Sequence, residues 1–415
     1  MLTRVLLALV VVCEVARADD WPQYRGPNRD GVSREKDWSW QWPAEGPKRL
    51  WKASIGIGSA SVAISRGRAF TLGWSPDKPD GVGKETLFCF DADTGALQWK
   101  ESYPVQNFAF DHEGGSGTTP TVDGDFVYTQ SRGGHLACFE VATGKLVWTR
   151  ELAAEFSGKP PFYGYTGSPL VLDDKLIVVP GATNASTVAL DKRTGKELWR
   201  SGSDPAAYAA PIAFVSGQKK CVAVFNFSGL VAMDAASGKE LGRFDWKTMS
   251  PRKTSINAPT PIALGDEIFL TSGYGRGCAL LRLGADGFKP VWQGAGMRAH
   301  YSGPVLHQGH LYGFDNNNEW FGRAEFACAD WKTGQQKWSS RSFGWGSVIV
   351  AGDKLIVVGR MGELAIADAS PAGYKELART QLIGGTVRCE PAFANGRLYL
   401  RNISGDLICV DLRAK

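Results

Sequence analysis

Short runs of alternating apolar and polar residues, separated by glycine-containing turns, follow one another along most of the chain. One copy of this pattern has four such runs, at residues 118–122, 126–130, 135–140 and 145–149. Alternation with a period of two, bounded by Asp-Gly or Thr-Gly turns, is typical of strands joined as antiparallel hairpins. The pattern therefore predicts groups of four short strands, and it indicates no helix of more than two turns.

The group of four strands recurs along the chain at a nearly constant interval. Its clearest marker is an Asp-x-x-Thr-Gly turn at residues 91–95, which is followed by three residues and then Trp99. Equivalent turn glycines lie 43 to 51 residues apart, at Gly95, Gly144, Gly195, Gly238, Gly287 and Gly334. A period of this length is typical of propellers and related repeat architectures.

A tryptophan follows the turn glycine in most copies of the repeat. A large ring at a fixed place in each outer strand can cover the turn of the adjacent blade, and it buries much area at low rotamer cost. We therefore predict a structural role in blade docking for five tryptophans, namely Trp99, Trp148, Trp199, Trp292 and Trp338.

The two ends of the repeat region complement each other. The chain stops after one more third strand at residues 406–412, and an unpaired fourth strand stands near the start at residues 48–52. Pairing them closes the ring and removes two exposed strand edges. We therefore predict an all-β, eight-bladed propeller of four-stranded antiparallel blades over residues 48–415. A seven-bladed ring is the alternative if the degenerate repeat at residues 285–293 is not a full blade.

The N-terminus has the features of a secretory signal peptide over residues 1–18. Arg4 precedes an apolar run at residues 5–12, and Ala16-Arg17-Ala18 is a small-x-small cleavage site. The apolar run is too short to span a bilayer. We expect cleavage after Ala18 and export to the periplasm or the medium. Residues 19–47 then form an N-terminal segment that packs on the propeller.

Cysteine usage and charge narrow the picture further. Cys13 leaves lipid anchoring as an alternative, although Val12 stands where lipoprotein signals carry Gly or Ala. The repeat position of Cys89 holds Ala189 in another copy, which indicates a tight packing slot and buried free thiols rather than disulfides. The net charge is +5 with scattered basic residues, so no nucleic-acid surface is predicted.

The repeat phrase Ala/Cys-x-Asp-x-x-Thr-Gly-x-x-x-Trp resembles the tryptophan-docking repeat of pyrroloquinoline quinone (PQQ) dehydrogenases. It also resembles the repeat of the outer-membrane-assembly propeller lipoprotein of Gram-negative bacteria. The resemblance covers residues 50–415 and implies eight blades. The opening segment at residues 21–31 is similar to a segment of exported PQQ-like propellers from planctomycete-type bacteria.

These dehydrogenases differ from the chain in ways that bear on catalysis. They are longer, and they carry adjacent cysteines against the quinone, whereas this chain has no adjacent cysteine pair. Their catalytic aspartate and calcium ligands align with no position of this sequence, so the resemblance transfers no catalytic residue. Fold alone does not establish function.

The loops that run from each outer strand to the next inner strand gather at one mouth of a propeller channel. In this chain they are rich in aromatic and polar residues, which fits a funnel for an anionic or sugar-like ligand or a peptide. The alternative is that these side chains plug and solvate the mouth. The candidates are Asp111, His112, Tyr163, Tyr165, Tyr208, Lys253, Asn257, Arg298, His300, Tyr301, Trp345 and Arg388.

No metal site is predicted, because His300 and the pair His307 and His310 fall at opposite ends of one strand. The pattern favours a binding or protein-interaction scaffold in the periplasm or cell envelope. We expect a monomer with a protein or glycan partner, no nucleic acid, no membrane span and no cofactor. The alternative is a compact dehydrogenase that oxidises alcohols or sugars with PQQ and calcium. A WD40 or kelch module fits less well, because no Trp-Asp dipeptide occurs.

Overall fold

Eight four-stranded antiparallel blades form an eight-bladed β-propeller, which confirms the predicted fold class. The structure, a computed structural model, describes residues 20–76, 82–109, 113–248, 255–316 and 324–414. Within those residues the only helix is the five-residue Leu152–Phe156. None of the described helical segments is long and apolar enough to cross a membrane.

Blades 1 to 4 follow one another along the chain, and the strands of each blade run in order from the channel outward. Blade 1 comprises Ala63–Ser65, Arg68–Pro76, Val82–Asp91 and Leu97–Gln106. Blade 2 comprises Thr121–Asp123, Phe126–Gln130, His135–Glu140 and Leu146–Glu151. Blade 3 comprises Leu170–Leu172, Lys175–Val178, Thr187–Asp191 and Glu197–Ser201. Blade 4 comprises Ile212–Ser216, Lys219–Phe225, Gly229–Asp234 and Glu240–Asp245.

Blades 5 to 8 complete the ring in the same order. Blade 5 comprises Ile262–Leu264, Glu267–Ser272, Gly277–Gly284 and Gly287–Gly294. Blade 6 comprises Val305–His307, His310–Asp315, Glu325–Asp330 and Gln336–Ser340. Blade 7 comprises Gly346–Ala351, Lys354–Gly359, Glu363–Asp368 and Glu376–Gln381. Blade 8 comprises Ala392–Ala394, Arg397–Arg401, Asp406–Asp411 and, from the start of the chain, Arg49–Ser54.

Blade 8 is shared between the two ends of the chain. Its outer strand Arg49–Ser54 pairs antiparallel with Asp406–Asp411, with Trp51 opposite Cys409. This pairing is the ring closure that the complementary ends predict. The degenerate repeat of blade 5 is a full blade of four strands, so the ring has eight blades rather than seven.

Each docking tryptophan lies against the turn between the third and fourth strands of the next blade. In the first such contact, Asp91 Oδ1 accepts hydrogen bonds from Thr94 N and Thr94 Oγ1, both at 2.8 Å, which fixes the turn. Gly95 has a φ of 71°, and a Cβ there would come within 2.6 Å of the Trp51 ring, so glycine is needed for two reasons. The indole N–H groups donate to turn carbonyls in six blades, from Trp51, Trp99, Trp148, Trp199, Trp292 and Trp338.

The cysteines of the described part of the chain are all buried, and none of them is in a disulfide. Burial raises the pKa of Cys89 to about 11 and that of Cys138 to about 12. These side chains therefore act as small apolar packing residues rather than as reactive thiols.

Candidate ligand site in the central channel

One end of the central channel is closed by the chain's own N-terminal segment. We call residues 20–33 the plug. Trp21 forms an antiparallel bridge with Ile64 of blade 1, and Val32–Ser33 pairs in parallel with the inner strand of blade 7. Hydrogen bonds from the plug reach the inner edges of seven blades, so it ties the ring together as well as closing it.

Arg29 of the plug is buried with a set of neutral acceptors. Its guanidinium donates to the carbonyl oxygens of Ser168 and Pro211, each at 3.1 Å, and also to Pro169 O. Gln23 Oε1 accepts from Arg29 Nε at 2.8 Å. Burial lowers the pKa of Arg29 to about 9. The acceptors around the guanidinium take the place of water, and this reduces the free-energy cost of burying its charge.

Arg25 of the plug forms a buried ion pair with Glu390 at the start of blade 8. Arg25 Nη1 lies 2.9 Å from Glu390 Oε1, and Tyr24 Oη donates to the same oxygen at 3.3 Å. The two ionic side chains are 0% and 6% exposed, so both are removed from water. Burial raises the pKa of Glu390, and the Arg25 charge opposes that effect.

A ring of small hydroxyl side chains surrounds the channel just above the plug. Ser61 N donates to Thr119 Oγ1 at 3.1 Å, Thr119 N to Ser168 Oγ at 2.9 Å, and Ala210 N to Thr260 Oγ1 at 3.1 Å. Each bond joins the inner-strand entry of one blade to that of the next. The ring therefore holds the inner strands at a fixed separation.

The space between this ring and the opposite mouth is a cavity of about 210 Å³. Tyr24 and Glu390 contribute to its floor, beside the hydroxyl ring. Its other main lining residues come from loops of blades 2 to 8, and they are Arg132, Tyr163, Thr166, Tyr208, Ile256, Tyr274, His300, Tyr301, Ser302, Arg388 and Cys389. The cavity thus combines a hydroxyl-rich floor with an aromatic and cationic wall.

Aromatic rings form much of that wall. Tyr301 stacks on Trp345 with ring centroids 5.7 Å apart and an interplanar angle of 17°. His300 meets Tyr301 edge-on at 5.8 Å, and its Nε2 lies 2.9 Å from Tyr274 Oη. Trp345 lies behind Tyr301 and supports it. Flat faces held in this way suit a ligand with a ring.

The charges at the wall are positive. Arg132 is 5% exposed and donates from Nη1 to Tyr163 O at 2.7 Å. Burial lowers its pKa to about 10, and the nearby Arg388 charge acts in the same direction. Burial, together with Arg388, lowers the pKa of His300 to about 4, so this imidazole is neutral at pH 7.

The predicted mouth residues divide into three groups. Five of them line the cavity, namely Tyr163, Tyr208, His300, Tyr301 and Arg388, and Trp345 supports Tyr301. Three others lie away from it: Tyr165 donates to Pro180 O, Asn257 is buried in a polar network, and Arg298 pairs with Asp315. Asp111, His112 and Lys253 lie outside the described residues.

Asn257 has a structural role in its buried network. Its Nδ2 donates to Asn226 O at 2.8 Å and to Trp246 O at 2.9 Å. Its Oδ1 accepts from Thr248 Oγ1 at 2.7 Å and from Ser272 Oγ at 2.9 Å. The amide group thus makes four hydrogen bonds within the protein, which leaves it no capacity for a ligand.

Most of the other lining residues were not predicted from the sequence, and Tyr24, Arg132, Tyr274 and Glu390 are among them. Arg132 and Tyr274 belong to hairpins between second and third strands rather than to the outer-to-inner loops. Glu390 carried a usable signal, because it precedes Pro391 at a position where Thr119, Ser168 and Thr260 also precede proline. These three residues carry a hydroxyl group, so the carboxylate of Glu390 is an exception that could have indicated a site residue.

Glu85 is a second buried carboxyl group, and it lies between blades 1 and 2, near Arg132. It is 1% exposed, and Tyr103 Oη donates to its Oε1 at 2.8 Å. Burial raises the pKa of Glu85 from 4.5 to about 7. The folded protein therefore keeps a proton that the unfolded chain loses between these two pH values. Stability is expected to fall by about 3 kcal/mol as the pH rises through that window.

Glu85→Gln is expected to remove this pH dependence. Relative to the parent protein, the variant should gain about 3 kcal/mol of stability between pH 4.5 and pH 8, because glutamine never has to ionise in the interior. Urea denaturation of both proteins at the two pH values measures the effect. The exposed Glu101→Gln serves as the control and should leave the dependence intact. An unchanged slope in Glu85→Gln would show that the carboxyl titrates normally.

Across the described ranges, no group of three or more His, Cys, Asp or Glu side chains is placed to hold a metal ion. Glu390 is the one carboxylate among the described residues that line the cavity, and Arg25 already pairs with it.

Comparison with known proteins agrees with this architecture. The family model described as outer membrane protein assembly factor BamB, a PQQ-like repeat family, matches residues 83–340, which is well over half of the chain. The chain belongs to this family. A curated relative, the serine/threonine-protein kinase AfsK of Streptomyces griseus, is 26% identical over 264 residues. That match covers 59% of this chain and 28% of the kinase, so the chain spans under a third of the kinase's length.

Solved structures with the same fold include both kinds of protein that the repeat resembles, an outer-membrane-assembly propeller and a quinoprotein dehydrogenase. BamB from Moraxella catarrhalis has a TM-score of 0.63 at 14% identity and covers 88% of this chain and 99% of its own. The quinohemoprotein alcohol dehydrogenase ADHIIG from Pseudomonas putida HK5 has a TM-score of 0.64 at 13% identity, with coverages of 96% and 81%. The computationally designed protein Ika8 has a TM-score of 0.60 at 12% identity, with coverages of 88% and 100%. Identities this low establish the shared fold alone.

Proposed function

We propose that the chain is an exported propeller of the cell envelope that acts by binding, and that its small-molecule site is the channel cavity. The observation that carries this proposal is the cavity itself, which has a closed floor and a wall of ordered tyrosines and arginines. Export is supported by the features of residues 1–18. An envelope location is supported by the family description as an outer membrane protein assembly factor.

The cavity has the properties of a binding site rather than of a packing defect. Native interiors leave few polar groups without partners, and empty cavities are usually lined by apolar side chains. This cavity is instead lined by Arg132, Arg388, His300 and several tyrosine and hydroxyl groups. Concave sites with a few fixed polar groups and aromatic faces are the usual form of ligand pockets.

The alternative function is a compact PQQ-dependent dehydrogenase, and the residues present do not fit it. Calcium takes six to eight oxygen ligands, several of them carboxylates. The described lining offers one carboxylate, Glu390, and the Arg25 guanidinium beside it would repel a divalent cation. The volume of about 210 Å³ also lies below the ~300 Å³ lower end for drug-sized ligands, whereas PQQ is a tricyclic tricarboxylate.

A protein-interaction role is a second candidate, favoured by the outer strands of blades 1 to 3. Leu97, Leu146 and Leu198 stand beside the docking tryptophans and are 45–50% exposed. We propose that the chain is a monomer and that a protein or glycan partner in the envelope contacts this face. Light scattering tests the monomer. A triple Leu→Ser variant should lose partner binding and keep ligand binding in the channel.

A thermal-shift screen of the mature chain tests the channel site. Small neutral sugars, sugar acids and aromatic acids form the panel, and we expect at least one class to raise the melting temperature in a concentration-dependent way. Arg388→Gln should abolish the shift, while Arg298→Gln, an arginine near the mouth that does not line the cavity, should preserve it. A panel without any shift, or equal shifts in the parent and Arg388→Gln, would contradict the proposed function.

A further inference from the structure

Four buried polar atoms without a hydrogen-bond partner belong to residues that line the channel cavity. They are Arg132 Nε, His300 Nδ1, Ser302 Oγ and Glu390 Oε2. Each residue is at least nine-tenths buried, with exposures of 5%, 9%, 3% and 6%. Native proteins satisfy most buried polar groups, so a convergence of this kind around one cavity indicates partners that enter the cavity, either water or the polar groups of a ligand that displaces it.

The donor or acceptor character of these atoms determines which hydrogen-bonding groups the ligand must carry. Arg132 Nε–H can only donate, so it needs an acceptor. Glu390, paired with Arg25 through Oε1, is an ionised carboxylate whose second oxygen can only accept, so it needs a donor. Ser302 Oγ can take either role. The ligand must therefore carry an acceptor toward Arg132 and a donor toward Glu390.

The charges around the cavity further specify the acceptor group of the ligand. Glu390 is already neutralised by Arg25, so this pair adds no net charge to the floor. Arg132 and Arg388 add positive charge to the wall, and they lie close enough that the Arg388 charge helps to lower the pKa of Arg132. Guanidinium side chains match the geometry of carboxylates and phosphates, and the carboxylate is the smaller of the two groups for a cavity of about 210 Å³. The acceptor end of the ligand is therefore anionic.

The size and shape of the cavity limit the ligand further. The cavity volume of about 210 Å³ lies below the ~300 Å³ lower end for sites of drug-sized ligands, which favours a ligand of one ring with a few substituents. Tyr163 and Tyr208, with ring centroids 5.9 Å apart, and Tyr301 offer aromatic surface to a ring.

We propose that the cavity binds a small hydroxycarboxylic acid built on a single ring, with its carboxylate toward Arg132 and Arg388. Its hydroxyl groups donate to Glu390 Oε2 on the floor and contact Ser302 Oγ. This inference rests on the proposed binding function and names the ligand class for the same site. The ring is either that of a sugar acid or that of an aromatic hydroxy acid, and the two share the chemistry that the cavity recognises.

Isothermal titration calorimetry on the chain from Asp19 onward tests the ligand class. The probes are galacturonate and 4-hydroxybenzoate, compared with galactose, which lacks the carboxylate, and with benzoate, which lacks the hydroxyl. We expect one-to-one binding of one hydroxy acid, and at least about 10-fold weaker binding of its matched analogue. Which hydroxy acid binds distinguishes the sugar acid from the aromatic acid.

Two substitutions test whether the ligand forms hydrogen bonds with the unsatisfied atoms. Ser302→Ala removes a cavity hydroxyl without leaving a new buried charge, and about 10-fold weaker binding of the hydroxy acid is expected. Glu390→Gln removes the negative charge and replaces one of the two acceptor oxygens with an NH2 group, so it should weaken binding at least as much, with circular dichroism used to verify folding. Ser203→Ala, at an exposed serine of blade 3, is the matched control and should change nothing.

The outcomes separate this inference from the proposed function. Equal affinity for galactose and galacturonate, or for benzoate and 4-hydroxybenzoate, would overturn the hydroxycarboxylate while the channel remained a binding site. Full affinity in Ser302→Ala and Glu390→Gln would overturn the assigned orientation. Absence of binding by all four probes would overturn the ligand class, and the thermal-shift screen then decides separately whether the channel binds ligands at all.

Discussion

Trp199→Ala is expected to lower the free energy of unfolding by about 3–5 kcal/mol, the range for truncating a buried aromatic side chain. Trp199 is 8% exposed and covers the turn glycine Gly238 of the next blade, where a Cβ would approach the ring to 2.5 Å. Its indole N–H also donates to Ala235 O at 3.2 Å. Removing the ring leaves a void between blades 3 and 4 and an unpaired turn carbonyl.

The neighbouring residue provides the control for this substitution. Leu198 is 45% exposed in the same outer strand, so Leu198→Ala should cost under about 1 kcal/mol. Urea denaturation, followed by far-UV circular dichroism rather than by tryptophan fluorescence, measures the free energy of unfolding of both variants. Equal effects of Trp199→Ala and Leu198→Ala would mean that the tryptophan is an ordinary strand residue and does not dock the blades.

Arg25→Met is the second substitution with a large expected effect, again about 3–5 kcal/mol of lost stability. The ion pair with Glu390 is buried on both sides, so the variant leaves an uncompensated carboxylate beneath the cavity. The plug also loses the bonds from Arg25 to Gly303 O at 3.0 Å and Pro304 O at 2.6 Å. We expect the melting temperature to fall and the plug to become accessible to proteases.

The double variant Arg25→Met with Glu390→Leu separates charge burial from packing. If the unpaired carboxylate causes the loss, removing it restores much of the stability, and a double-mutant cycle yields a coupling energy above about 1 kcal/mol. Additive losses in the double variant would instead show that Arg25 contributes through its carbonyl contacts alone.

The fold was predictable because the same local chemistry is repeated in most of the blades. The turn centred on Asp91 and Gly95 sets its own geometry, and the docked tryptophan follows at a fixed distance along the chain. Ring closure followed from the two incomplete ends, since exposed strand edges are costly. Even the degenerate fifth blade kept the four-strand pattern that the count required.

The site was predictable only in part. The outer-to-inner loops do supply the wall, but they have no period that tells which side chains face the channel, so Tyr163 lines the cavity and Tyr165 packs against Pro180. Arg132 and Tyr274 come from the other set of hairpins. The plug contributes Tyr24 and Arg25 through long-range contacts, which no local pattern encodes.

Calorimetric titration of PQQ, with calcium present, into the chain from Asp19 onward tests the central claim most directly. The account predicts no one-to-one binding, because the described cavity is too small and its one carboxylate is paired with Arg25. The protein should remain folded in the same buffer, with a β-type circular dichroism spectrum. Tight one-to-one binding of PQQ that depends on calcium would contradict the account and make the dehydrogenase the better assignment.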